Sequence, residues 1–80
     1  MWQVEFKNLG PDKVSDRITM EPLDFDAVID HASKYLAPGE VDVAADANPW
    51  ERDEINGIIM RVEANGIAGQ FKARRIKNDH

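Results

Sequence analysis

The chain has 80 residues, no cysteine, 42% hydrophobic and 31% charged residues, and a net charge of −5. This is the composition of one small globular domain, residues 1–80; it excludes a disulfide or thiolate–metal framework, disorder and collagen-like repeats. No apolar run approaches the roughly 18 residues of a membrane helix, and residues 1–6 carry no signal-peptide pattern, so the expectation is a cytoplasmic protein with no membrane partner.

Residues 2–7 alternate strictly, with Trp2, Val4 and Phe6 on one side and Gln3, Glu5 and Lys7 on the other. Period two with aromatic and β-branched residues predicts a half-buried strand. Residues 8–12 are turn material. A second strand follows over 14–20, with Val14, Ile18 and Met20 on one side, Asp16 as the exception, and Pro22 as the stop. The two are expected to form a hairpin with a long, mobile loop.

Phe25, Val28, Ile29, Ala32, Tyr35 and Leu36 form one helical apolar stripe. Asp24 suits the N-cap, Leu23 can pack on Val28 as a staple, and residues 37–39 (Ala-Pro-Gly) close the helix. Its outward face carries Asp26, Asp30, Ser33 and Lys34; His31 reads as a surface helical histidine.

Residues 40–47 alternate again and predict a third strand with an acidic outer face. Residues 48–54 read as a loop or a single helical turn, with Asn48 before Pro49 as cap and first helical position. Residues 58–64 and 67–73 flank Asn65-Gly66, a strong signal for a two-residue hairpin turn. That turn would pair Val62 with Gly69, Met60 with Phe71 and Ile58 with Ala73 on one apolar face. The order is β-β-α-β-β-β, an α+β fold with one helix on a mostly antiparallel sheet. The expected core is Val4, Phe6, Ile18, Phe25, Val28, Ile29, Leu36, Val41, Val43, Ile58, Met60, Val62 and Phe71.

Little here carries chemistry. His31 and His80 have no partner at metal-ligand spacing, and no calcium-loop pattern is complete. No hydroxyl lies in an arrangement with a histidine that suggests a nucleophile and its base. Residues 66–69 spell GxxG without any basic residue inside. The expectation is no enzyme, no metal and no cofactor.

Charge is the informative property. Residues 21–54 hold ten carboxylates against Lys34 and Arg52, a net −8, whereas residues 55–80 are net +3. Asp24, Asp26, Asp30, Glu40, Asp42, Asp46, Glu51, Asp53 and Glu54 could present carboxylates across one surface, with Trp50 as an aromatic anchor among them. Carboxylates spaced on a rigid scaffold can imitate nucleic-acid phosphates and occupy a Lys/Arg groove. The chain resembles small acidic inhibitors (phage anti-CRISPR proteins, immunity proteins and antitoxins) in size, charge and layout, while no motif ties it to one of them. The leading expectation is therefore a non-catalytic, stoichiometric inhibitor, encoded by a phage or mobile element, whose partner is a basic protein or nucleoprotein complex. The alternative is a nucleic-acid-binding module using Lys72, Arg74, Arg75 and Lys77. A third reading is a small structural protein whose exposed sheet edge, the first strand, pairs with a second copy as a homodimer.

Overall fold

The computed structural model describes residues 1–63 and 66–76. The elements are β1 (Trp2–Leu9), β2 (Val14–Met20), α1 (Phe25–Ser33), β3 (Val41–Ala45), β4 (Glu54–Arg61) and β5 (Gly66–Arg75), in the expected α+β order. The five strands form one antiparallel sheet in the order β2-β1-β5-β4-β3. The edges are thus β2 and β3. The first strand lies inside the sheet, because β5 claims its second side, and it offers no edge for a second copy.

The chain leaves β2 at one edge, crosses one face as α1 and re-enters at β3 on the other edge. The helix thereby covers one face of the sheet and leaves the second open. Trp2, Val4 and Phe6 of β1, Ile55 and Ile59 of β4, and Phe71 and Ala73 of β5 are buried beneath it with Val28 and Ala32. Burial of each large side chain contributes about 1.5–3 kcal/mol. Leu9 is also fully buried, although its neighbours read as a turn. The turn itself is short, residues 10–13, closed by the Lys13 N–H on the Gly10 carbonyl (3.2 Å).

Asp24 caps α1, its side chain accepting from the Asp26 N–H at 2.9 Å. The helix ends at Ser33, earlier than Ala37-Pro38-Gly39 suggested. Beyond it the chain continues in tighter i→i−3 bonds, from the N–H groups of Lys34, Tyr35 and Leu36.

The last hairpin differs most from expectation. Phe71 pairs with Gly57, Ile55 with Ala73 and Ile59 with Gly69, a three-residue slip from the register expected from a two-residue turn. An odd slip exchanges the faces of a strand. Ile55 and Ile59 therefore enter the core, Ile58 and Met60 turn to the open face, and Val62 and Ile67 are exposed. The cause is steric. A Cβ at Gly57 would collide with the Phe71 ring and lie 2.7 Å from the Ala44 carbonyl oxygen. A Cβ at Gly69 would lie 2.6 Å from Leu9 Cδ2. Each glycine is a socket for a large side chain of the neighbouring strand. A register shift beside Ile59 and Met60 leaves Ala68 as the extra residue, and it too is buried. Strand β4 begins at Glu54, so Glu54 is a strand residue and no part of the preceding loop. Ala64 and Asn65, on which the expected turn depends, and Lys77 and His80 lie outside the described residues.

Candidate functional site

The segment before β4 is anchored at three points. Asp46 exchanges bonds with Asn56: its N–H donates to the Asn56 carbonyl (2.9 Å) and its Oδ1 accepts the Asn56 N–H (3.0 Å). Asn48-Pro49-Trp50-Glu51 makes a single turn, with the Glu51 N–H on the Asn48 carbonyl at 3.0 Å. Glu51 Oε1 accepts from both the Asn48 N–H (3.1 Å) and Asn48 Nδ2 (2.6 Å). Asn at the first and Pro at the second position favour a tight turn, and no helix follows. Arg75 fastens the far side. Its guanidinium donates to Asp53 Oδ1 (2.9 Å) and the Pro49 carbonyl (3.2 Å), and it lies 4.6 Å from the centre of the Trp2 ring.

Trp50 sits on this pinned turn and is 81% exposed. A fixed backbone thus carries the largest apolar side chain into solvent. Between it and the start of α1 runs a shallow groove walled by Met20, Pro22, Phe25 and Pro49, with Glu21, Asp24 and Asp26 also in its lining. The Phe25 wall is held in place, because its ring packs at a tilt on Phe71, centroids 6.2 Å apart. No Lys or Arg lines the groove.

The acidic residues are divided between several places. Asp24 and Asp26 share the Trp50 groove, and Glu51 is turned back onto Asn48; Asp30 is exposed further along α1. Glu40 precedes β3, and its carbonyl accepts the Val62 N–H at 3.1 Å. Asp42 lies at the β3 edge, where its Oδ1 accepts the Val43 N–H at 2.8 Å. Asp46 approaches Arg52 at 3.9 Å. Asp53 is taken by Arg75, and Glu54 meets Lys72 on the open face at 2.9 Å. The Lys72 ammonium beside it holds the Glu54 carboxyl below its ordinary value.

The cations of β5 are divided as well. Lys72 and Arg74 alternate with Phe71 and Ala73 and so face the open side, while Arg75 reaches over Trp2 on the helix side. The expected basic cluster does not gather on one face, and Lys77 is outside the described residues.

A cluster not apparent from spacing joins β2 to α1. Asp16 Oδ2 accepts from Tyr35 Oη (2.6 Å) and lies 2.7 Å from His31 Nε2, and Oδ1 accepts the Arg17 N–H (2.8 Å). An ionised carboxylate only accepts, so Nε2 carries the proton. His31 also stacks on Phe6, ring centroids 5.2 Å apart, and is half-buried rather than a surface histidine. Tyr35 and then His31 hold the Asp16 carboxyl at about 2, and the same contact raises the Tyr35 phenol. A carboxylate with both oxygens occupied and so low a pKa is poorly suited to general acid or base work. The cluster clamps the helix to the sheet.

Among the described residues, no three His, Asp or Glu side chains gather as a metal site, and no helix is long and apolar enough to cross a membrane. Comparison with known proteins gave no matching family model, no matching curated protein and no matching solved structure.

Proposed function

We propose that this is a non-catalytic, cytoplasmic protein-binding domain, a stoichiometric inhibitor that captures a basic, nucleic-acid-binding protein or nucleoprotein complex and blocks its access to nucleic acid. Its kind of source is a phage or other mobile element, as for other small acidic blockers. The observation that carries the reading is Trp50, 81% exposed on a turn fixed by side-chain bonds and sharing a groove with Glu21, Asp24 and Asp26. An aromatic side chain on a fixed backbone has only two side-chain torsions to lose on binding, and aromatic anchors dominate protein interfaces. Carboxylates around it steer a cationic partner and set its orientation.

The test is affinity capture from a host lysate followed by mass spectrometry, with variants in parallel. Trp50→Ala, and separately Asp26→Asn with Asp30→Asn, should lose a basic protein that the wild type retains. Lys72→Ala with Arg74→Ala should retain it. Asp24 is left intact because it caps the helix. Capture that survives the first two changes and fails with the third would contradict the reading and favour the cationic strand.

A further inference from the structure

The Trp50 groove has features that narrow the chemistry of its occupant. Its walls are apolar: Met20 and Pro22 from the end of the β2 segment, Phe25 from the helix, and Pro49 and Trp50 from the turn. Its charged lining is of one sign, Glu21, Asp24 and Asp26. Two of these carboxylates are partly engaged. Asp24 Oδ1 caps the helix, and Glu21 Oε1 meets the chain's own terminal ammonium at 3.3 Å. Asp26 offers its carboxylate to solvent at the first turn of α1.

From this we infer that the groove takes one extended segment of the partner protein, in which a lysine or arginine alternates with apolar side chains. The inference rests on the protein-capture reading above and specifies the ligand of the same site. Apolar side chains of the segment cover Met20, Pro22 and Pro49. A cationic side chain lays its methylene stem along the Trp50 ring and presents its head to Asp26 and Glu21. The match is one of charge and polarity together: a wholly apolar segment would leave the rim carboxylates desolvated and unpaired, and an acidic one would be repelled. A guanidinium over an exposed indole adds attraction to the ion pairs. A nucleic acid, being polyanionic, does not fit this groove.

The experiment is amide and indole NMR of the isotope-labelled full chain, titrated with an acetylated peptide of repeating Arg-Leu-Pro units and, as control, its Glu-Leu-Pro counterpart. The expected result is saturable shifts confined to residues 20–27 and 48–51 and the Trp50 indole, from the Arg peptide only. Trp50→Ala should weaken binding about tenfold, the equivalent of about 1.4 kcal/mol; Asp26→Asn with Glu21→Gln should weaken it several-fold while leaving the spectrum folded. Shifts spread over every carboxylate, or equal binding of the Glu peptide, would overturn the inference. Saturable shifts centred on Asp42 and Asp46 would overturn it too, yet leave capture through acidic residues standing. That broader reading fails on its own terms if the lysate partner ignores the Trp50 and Asp26/Asp30 variants.

Discussion

Asp16 ties two aromatic rings and a backbone amide to one carboxylate, and the consequence is a defined pH dependence. Its folded-state pKa of about 2 lies below the ordinary 3.8. A depressed carboxyl contributes stability that is complete above the ordinary value and disappears as pH falls through the folded one. Thermal melts should therefore lose stability between about pH 4 and pH 2, and Asp16→Asn should be less stable at neutral pH and lack that part of the slope. Tyr35 has the opposite sign. Its raised phenol favours the protonated form, so its contribution is complete below the ordinary 10.0 and is lost as pH rises through the folded value; Tyr35→Phe should flatten the alkaline limb. In the sequence, Asp16 is visible only as a polar intruder on an apolar strand face. Its partners lie 15 and 19 residues away, and no spacing rule links a strand carboxylate to rings beyond an intervening turn. Trp50 is the converse case. Its flanking carboxylates mark it as an anchor candidate, but only the bonds of Asn48, Glu51 and Arg75 show that its turn is fixed, and only its 81% exposure shows that it points outward.

At the scale of elements, local patterning was sufficient for β1, β2 and the start of α1, where alternation, the helical stripe and the Asp24 cap agree, but not for the end of α1 at Ser33. It was insufficient for the β4–β5 hairpin, because both faces of β4 carry isoleucine and either one satisfies the pattern. What decides is a non-local fit, Phe71 over Gly57 and Leu9 over Gly69, which alternation does not express. Ile59→Ala should then cost about 2–5 kcal/mol in denaturant unfolding, whereas exposed Ile67→Ala should stay within about 0.5 kcal/mol. Gly57→Ala should be destabilised by about 1–3 kcal/mol, since the added methyl must displace a packed ring or a neighbouring backbone. An Ile59→Ala variant as stable as the wild type would contradict the register.

For the whole molecule, the helix covers one sheet face and the two edges are left to solvent, where an antiparallel sheet risks pairing with its copies. Both edges carry the same device. Asp42 Oδ1 takes the Val43 N–H on β3, and Asp16 Oδ1 takes the Arg17 N–H on β2. On β3 the occupied amide faces outward, because bonds toward β4 and its flanks involve Glu40 and Asp46, the even-numbered residues. Asp42→Ala should thus shift sedimentation toward dimers, while Asp42→Asn, which keeps an acceptor and loses the same charge, should stay as the wild type. With the cations of β5 divided between two faces, the proposed capture of a basic protein falls to the turn that projects Trp50. The most direct measurement is displacement of labelled nucleic acid from the captured basic partner. Wild-type protein should release it with a sharp endpoint at one equivalent, and Trp50→Ala should release little at the same concentration. Undiminished release by Trp50→Ala, or none by the wild type, would contradict the account.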